Sequence, residues 1–285
     1  MNSINVNSSE QKAGRLLAYI ASQFDLQPEQ LPDGGWLKGD PESRISKIAV
    51  AWRLTGPVLQ KALNEDCDFI VFHESPYWQE RRDPELYRSS GAYKSADDWL
   101  LHPDKKLRQL VENSKACFLQ IHYGLDRLCI YDCFIQTLGL QCDKHGEKYE
   151  CVYTLQNPMS LEQIAAQICR RLKLDCVRIL GNPQQITNKF GNCWGGVGLS
   201  ANLYFIRRAI EMGAELIIAG EMDEMGMRFM QDCGVAAIET GHYISEAIGL
   251  QYFAEQVCPQ IYDSIPAKFY AEQYPRLWQM YQNKL

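Results

Sequence analysis

Three of the five histidines in this 285-residue chain stand where apolar, β-type runs end. His73 closes the run CDFIVFH, His122 closes ACFLQIH, and His242 follows VAAIETG. Ligands of α/β proteins bind in the crevice at the carboxyl ends of the strands, so these positions favour binding. A single strand-end histidine is more often a packing or capping residue. Three at equivalent places favour a shared binding site.

Each of these histidines is followed within four residues by a carboxylate, namely Glu74, Asp126 and Glu246. His242 and Glu246 would share one face of a helix that begins there, because residues four apart are neighbours on a helix. Imidazoles and carboxylates without thiolates suit divalent Mn, Fe or Zn. Six candidate side chains exceed what one tetrahedral ion needs, so we expect two ions. Paired metal ions activate water in many hydrolases, which makes hydrolysis the expected chemistry.

Apolar runs alternate with segments of helical periodicity along most of the chain. The runs predict strands at 47–54, 67–73, 116–122, 149–155, 175–180, 214–220 and 235–240. Helical segments lie between them, and the one at 160–172 opens with Ser160. This alternation is typical of βαβ units, so we expect an α/β fold of two α/β domains with largely parallel sheets.

The length also favours two domains, since domains average about 150 residues. Composition changes at 140–148, which is the best candidate boundary. Because His242 must join the first two histidines, the last part of the chain should return to the first domain. We therefore expect a metal-site domain of residues 1–140 and 236–285, and a second domain of residues 141–235.

Composition excludes several partners. The chain has 29 basic and 35 acidic side chains, a net charge of -6, which offers phosphate backbones no general attraction. No apolar run approaches the roughly 18 residues of a membrane span. The polar start, MNSINVNSSEQKAGR, lacks the pattern of a signal peptide. We expect a cytoplasmic protein without general nucleic-acid or membrane binding.

Eleven cysteines occur at irregular spacing and without a CxxC motif. An odd number in a chain of this size does not indicate a disulfide framework. Cys129 and Cys133 have the spacing of half a zinc site, but free, buried thiols are the favoured interpretation. Free cysteines in this number fit a protein in a reducing compartment.

Two segments carry less specific signals. The glycine-rich loop GNCWGGVGLSA (191–201) precedes a predicted helix, and its amides could bind a phosphate, whereas tight turning and close packing are the favoured role. The aromatic and charged segment 75–103 is long for a loop, so we expect a lid or an assembly surface. Its aromatic residues could also stack a base, although packing is favoured.

These motifs, in this order, resemble the NIF-three-like dinuclear metal-centre proteins. FIVFHESPYW is similar to the family's first metal motif, and IHYGLDR to its His-x-x-x-Asp motif. GAELIIAGEMDEMGMRFMQDCGVAAIETGHYISE resembles its C-terminal block, and GGWLKGDPESRISKIAVAWRLT its start. The resemblance covers roughly residues 10–255.

The resemblance implies a two-domain α/β protein that assembles as a ring-shaped homohexamer with two divalent metal ions per subunit. The implied metal ligands are His73, Glu74, Asp126, His242 and Glu246. His122 would stand beside the site as a weaker ligand candidate.

The chain departs from the family pattern at two places. Many relatives have a second histidine where Glu74 stands, and the motif proline comes one place later, at Pro76. A carboxylate in place of an imidazole would shift the metal preference of the site toward harder ions. Many relatives also carry a histidine shortly after the motif that reads AGE here. This chain reads AGEMDEMGM, which lacks that imidazole and has the acidic residues Glu221, Asp223 and Glu224 instead.

Two functions follow from the resemblance and the residues. The first is a metal-dependent hydrolase of a small substrate, nucleotide-like molecules included, with Glu221, Glu224 or His122 moving protons. The alternative is a non-catalytic, metal-holding ring or assembly scaffold. Relatives are often named GTP cyclohydrolases by similarity, and we do not adopt that activity. A third interpretation, a nucleotide-binding protein without metal, requires the glycine-rich loop as its centre.

Overall fold

The computed structural model of the chain describes residues 11–32, 34–77, 102–147 and 149–273. These residues form two compact units, each with its own sheet. The first unit contains the chain up to Leu125 and the later stretch Leu250–Gln273, and the second contains Asp126–Gly249. Strands and helices interleave in both units, which confirms the expected α/β class.

The chain passes from one unit to the other at positions 125 and 249, not at the expected positions 140 and 235. Two elements explain the difference. The strand Ala236–Glu239 pairs on both sides with strands of the second sheet. The composition change at 140–148 contains a hairpin strand, Cys142–Glu147, and is not a linker between domains.

The sheet of the first unit has five strands. In spatial order they are β1 (Gly34–Lys38), β4 (Cys117–Ile121), β3 (Phe69–Glu74), β2 (Ile48–Arg53) and β11 (Ala267–Tyr270). β1 is antiparallel to β4, and all other neighbours are parallel. The central strands are buried along most of their length, which explains the continuous apolar runs that predicted them. The parallel register of β3 and β4 brings their carboxyl ends, and the histidines there, to one edge.

Local sequence determines how the helices of the first unit begin and end. They are α1 (Gly14–Ser22), α2 (Gly56–Asn64), α3 (His102–Asn113), α9 (Cys258–Ile261) and the turns Pro28–Gln30, Tyr123–Leu125 and Phe253–Val257. The Thr55 hydroxyl accepts a hydrogen bond from the Val58 N–H at the start of α2. Nζ of Lys38 donates to the carbonyls of Val111 and Glu112 at the end of α3, at 2.9 and 2.8 Å.

The sheet of the second unit has six strands. In spatial order they are β5 (Cys142–Glu147), β6 (Glu150–Ser160), β8 (Ile186–Cys193), β9 (Leu216–Ala219), β10 (Ala236–Glu239) and β7 (Arg178–Leu180). β8, β9 and β10 are parallel, and the flanking pairs are antiparallel. β9 and β10 are fully buried and end in register, so the segments that follow them begin side by side.

The helices of the second unit are α4 (Tyr131–Leu138), α5 (Leu161–Leu172), α6 (Leu203–Glu211), α7 (Glu224–Asp232) and the start of α8 (His242–Tyr252). A π-helical turn, Asp126–Ile130, precedes α4, and the short 3-10 turns Gly195–Gly198 and Ser200–Asn202 precede α6. Ser160 starts α5 as expected, because its side chain and that of Gln163 exchange hydrogen bonds with each other's backbone N–H groups. Among the described helices, none is long and apolar enough to cross a membrane.

Candidate metal-binding residues

His73 is completely buried at the end of β3. Its Nδ1 lies 3.2 Å from the carbonyl oxygen of Ile121, the last residue of the neighbouring strand β4. A carbonyl oxygen only accepts hydrogen bonds, so Nδ1 carries the proton and Nε2 carries the lone pair. The sheet itself therefore presents Nε2 as the metal-ligating nitrogen of this imidazole.

Glu74 and His122 complete a group around His73 in the first unit. The ring of His122 stacks on that of His73 at a centroid separation of 4.3 Å and an angle of 7°. Nε2 of His122 lies 3.4 Å from Oε1 of Glu74. One ligand atom from each residue lies within 4.8 Å of those of the other two, so the group could hold a metal ion. Two imidazoles and one carboxylate fit a borderline divalent cation.

In the second unit, His242 and Glu246 lie on one face of α8, as their spacing predicts. Nε2 of His242 is 3.2 Å from Oε1 of Glu246, whose side chain is only 3% exposed. An imidazole nitrogen and a carboxylate oxygen at this separation are both ligand types for a divalent cation.

Glu221 adds a second carboxylate to His242. It follows β9, and its Oε2 lies 2.9 Å from Nδ1 of His242. The His242 ring thus stands between two carboxylates, one on each nitrogen. At a separation of 21 positions along the chain, the sequence gave no signal of this contact.

Asp126 is buried at the start of the π-helical turn. The indole N–H of Trp194 donates to its Oδ1 at 2.8 Å. The Trp194 ring in turn packs against Tyr131 and Tyr149, with centroid separations of 4.9 and 4.6 Å. Sequence analysis missed Trp194, because a tryptophan in a glycine-rich loop carries no signal for a carboxylate 68 positions away.

Gly249 allows α8 to lie close to the turn that carries Asp126. A Cβ on Gly249 would lie 2.4 Å from Cα of Ile130, at the end of that turn. Isolated π-helical turns are frequent at functional sites. Within the second unit, α8 therefore packs closely on this turn. The helix that carries His242 and Glu246 lies against the turn that carries Asp126.

The glycine-rich loop packs against the side chain of Glu246 and the backbone of Glu221. Gly195 has a φ of +52°, and a Cβ there would lie 1.9 Å from Oε1 of Glu246. A Cβ on Gly198 would lie 2.4 Å from the carbonyl oxygen of Glu221. The Gly195 N–H donates to the hydroxyl of Ser245 at 2.8 Å. These contacts support the packing role of the loop rather than a phosphate cradle.

Comparison with known proteins fits this arrangement. The sequence profile of the family described as Duf34/NIF3 (NGG1p interacting factor 3) matches residues 16–273. The chain belongs to the NIF3 family. A relative from Neisseria meningitidis serogroup B, named GTP cyclohydrolase 1 type 2 homolog, is 29% identical over 235 residues, 82% of this chain and 86% of the relative.

Solved structures share the fold of this NIF3-family protein. A Bacillus cereus protein related to NIF3 matches with a TM-score of 0.70 and 13% identity, over 96% of this chain and all of the other. The protein ybgI, of unknown function, matches with a TM-score of 0.71 and 18% identity, over 93% of this chain and 100% of the other. At these identities the likeness shows the fold alone.

The three residues proposed as proton carriers have different surroundings in this NIF3-family chain. His122 belongs to the group with Glu74, and Glu221 contacts His242. Glu224 lies on the surface in the first turn of α7, where its carboxylate pairs with Arg228 at 2.6 Å and its side chain is 68% exposed. Glu224 is therefore occupied by an ordinary helix-surface ion pair.

The cysteines of this NIF3-family chain are free thiols, as expected. Burial raises the pKa of Cys133 to about 11 and that of Cys193 to about 12, so both stay protonated at neutral pH. Among the described residues, no group that could hold a metal ion includes a cysteine.

The predicted lid or assembly segment 75–103 lies mostly outside the described residues, which resume at position 102. Its first residues are fixed to β2: Nε of Arg53 donates to the carbonyl of Ser75 at 2.9 Å, and Nη2 donates to that of Pro76 at 3.1 Å. The role of the remainder stays a prediction.

Proposed function

We propose that this protein binds two divalent metal ions per chain and uses them to hydrolyse a small substrate, nucleotide-like molecules included. The observation that carries the proposal is the group of His73, Glu74 and His122, whose ligand atoms lie within 4.8 Å of one another. The proposed ligands are those that the family resemblance implies, namely His73, Glu74, Asp126, His242 and Glu246.

The chemistry of the donor set supports divalent cations of the first transition row. The proposed ligands comprise two imidazoles and three carboxylates, and the described residues add no thiolate to the groups. Such donors suit Mn, Fe or Zn, and the carboxylate of Glu74 favours the harder Mn or Fe. We propose that Glu74→His shifts the relative affinity of the protein from Mn or Fe toward Zn, because an imidazole then replaces the carboxylate.

Two cations held by these ligands would supply a water nucleophile at neutral pH and would polarise the bond that is attacked. The chain's own residues position the ligands and move protons. His122 is the proposed proton carrier, because its side chain is 34% exposed and its Nε2 lies 3.4 Å from Glu74. A partly exposed imidazole can exchange protons with solvent.

Metal analysis of single-residue variants tests the binding part of the proposal. His242→Ala and Glu246→Ala should each lose metal while remaining folded, as measured by elemental analysis and circular dichroism. His145→Ala is the control, because His145 lies on the exposed strand β5. Equal metal content in all four proteins contradicts the assignment. Metal lost only in the His145 variant would place the site elsewhere.

A substrate screen tests the hydrolase part. Phosphoesters, amides and nucleotides, GTP among them because of the relative's name, are incubated with the metal-loaded protein. Turnover that a chelator abolishes and His122→Ala reduces is the expected result. Tightly held metal with no turnover of any substrate would favour the metal-holding ring.

We also propose that the chain forms a homohexamer in the cytoplasm, as the family resemblance implies. Eleven free thiols support a reducing compartment. Light scattering should give about six times the chain mass of 32.7 kDa at micromolar concentration. A mass of one chain would contradict the hexamer, and fractionation of cells tests the compartment.

A further inference from the structure

We infer that Glu221 is a positioning residue that fixes the tautomer of His242, so that Nε2 is the ring nitrogen offered to a metal ion. The inference rests on the proposed metal-binding function. It gives Glu221 a role different from the proton transfer that the sequence suggested.

The two nitrogens of His242 face different carboxylates. Nδ1 lies 2.9 Å from Oε2 of Glu221, and Nε2 lies 3.2 Å from Oε1 of Glu246. A neutral imidazole has one N–H and one lone pair. With the proton on Nδ1, Glu221 accepts a hydrogen bond of normal length, and the Nε2 lone pair faces the same space as the Glu246 oxygen. Together they form a pair of ligand atoms for one cation.

The other tautomer would be unsuitable for metal binding. A proton on Nε2 would point an N–H at Glu246. The lone pair of Nδ1 would then face the lone pairs of the Glu221 carboxylate, with no proton between them. Ligating histidines typically donate their second N–H to a carboxylate or a backbone carbonyl, which fixes both the tautomer and the ring orientation. Glu221 occupies that position for His242.

The main chain around Glu221 is anchored although its side chain is 47% exposed. Its backbone N–H donates to the carbonyl of Gly195 at 2.8 Å. The next residue, Met222, accepts a hydrogen bond on its carbonyl from Nη2 of Arg178 at 3.0 Å. Arg178 also forms an ion pair with the buried Glu239 at the end of β10. The segment that carries Glu221 is thus fixed at two consecutive residues.

His73 in the first unit provides an independent parallel. Its Nδ1 is held by the carbonyl of Ile121 at 3.2 Å, which also leaves the lone pair on Nε2. A backbone carbonyl serves one proposed histidine ligand, and the Glu221 carboxylate serves the other. Both imidazoles then present the same nitrogen.

Nuclear magnetic resonance of the metal-free, full-length protein tests the tautomer directly. Two-bond proton–nitrogen spectra of histidine-labelled protein at about pH 8, where imidazoles are mostly neutral, identify the protonated ring nitrogen. Wild-type His242 should carry its proton on Nδ1. Glu221→Ala should move protonation toward Nε2, and Glu221→Gln should keep it on Nδ1, because an amide oxygen still accepts. An unchanged spectrum in Glu221→Ala, or a wild-type proton on Nε2, overturns the inference.

Calorimetric titration with Mn²⁺ supplies the second measurement. Glu221→Ala should weaken binding about 10- to 100-fold, the usual effect of removing a partner of a metal-ligating histidine. Glu221→Gln should weaken Mn²⁺ binding less than Glu221→Ala does. Glu224→Ala is the matched control, because that carboxylate pairs with Arg228, and it should bind like wild type. Glu221→Ala within twofold of wild type contradicts the inference.

The two hypotheses fail in different ways. If the wild-type protein binds no Mn²⁺ or Zn²⁺, the proposed function fails, whereas the tautomer spectra still decide whether Glu221 fixes His242. If the wild type binds metal and Glu221→Ala retains both the tautomer and the affinity, only the positioning role fails.

Discussion

The indole N–H of Trp194 donates to Oδ1 of Asp126 at 2.8 Å, within the second unit. This bond fixes the orientation of a buried carboxylate that is a proposed metal ligand. Packing against Tyr131 and Tyr149 in turn restricts the orientation of the Trp194 indole. Partners of this kind tune metal affinity without touching the ion.

Trp194→Phe should therefore weaken Mn²⁺ binding by about tenfold and lower the free energy of unfolding by about 1–3 kcal/mol. The phenyl ring preserves part of the aromatic packing but removes the indole N–H that donates to the buried Asp126. Calorimetry and urea denaturation measure the two effects. Trp36→Phe is the control, since Trp36 stacks on Phe69 in the first unit. Equal metal affinity in both variants would contradict this role of Trp194.

Gly195→Ala should disturb Glu246 directly. A Cβ at this position would lie 1.9 Å from Oε1 of Glu246, so the carboxylate must move. The residue also has a φ of +52°, and a left-handed conformation costs an L-residue roughly 1–2 kcal/mol by itself. The variant should therefore lose more stability than this strain explains, and should lose metal as well.

Gly234→Ala separates strain from contact. Gly234 has a φ of +71°, and its Cβ would meet no atom within 4 Å. It should lose stability through strain alone and keep its metal. Urea denaturation and elemental analysis of the two variants make the comparison. Equal effects on metal content would show that the Gly195–Glu246 contact has no influence on binding.

Local sequence signals predicted much of the fold and part of the candidate site. Continuous apolar runs predicted β3 and β4 because these strands are buried on both faces, and their ends located His73 and His122. Helical spacing placed His242 beside Glu246. Ser160 predicted the start of α5. In the last two cases the decisive interaction lies within four residues along the chain.

The rest of the candidate site depends on contacts between residues that are distant in sequence. Glu221 reaches His242 from the end of another strand, and Trp194 reaches Asp126 from across the second unit. Periodicity and motif spacing carry no information about such pairs. β5 was missed for a different reason: its side chains are almost all exposed and polar, so its sequence shows no apolar pattern. That strand pairs through its backbone.

A carboxylate in the first unit should make stability depend on pH. Oε2 of Glu65 accepts hydrogen bonds from Lys268 and from the hydroxyl of Tyr270, both at 2.8 Å, which ties β11 to the end of α2. The bond from Lys268, then that from Tyr270, lowers the pKa of Glu65 below its usual value. A lowered folded-state pKa contributes stability above the unfolded pKa of about 4.3, and this is lost as pH falls through the folded value.

Glu65→Gln should therefore be less stable than wild type at pH 7, and the difference should shrink as the pH falls below about 4. Urea midpoints at several pH values measure it. Glu42→Gln is the control, because Glu42 lies in an exposed ion pair with Lys12 and should show little difference at any pH. A difference for Glu65→Gln that is constant with pH would contradict the assignment to the charged carboxylate.

Metal should stabilise the folded chain by mass action, because the native fold holds the proposed ligands in place and the unfolded chain does not. At a free metal concentration 100 times the dissociation constant, the free energy of unfolding should rise by about 2.7 kcal/mol. Thermal melting with Mn²⁺ and with excess chelator measures the change. His242→Ala should melt at the same temperature in both conditions, whereas His145→Ala should respond like wild type. A wild-type melting temperature that the chelator leaves unchanged would contradict metal binding by these residues, because an ion that prefers the native state must shift the equilibrium toward it.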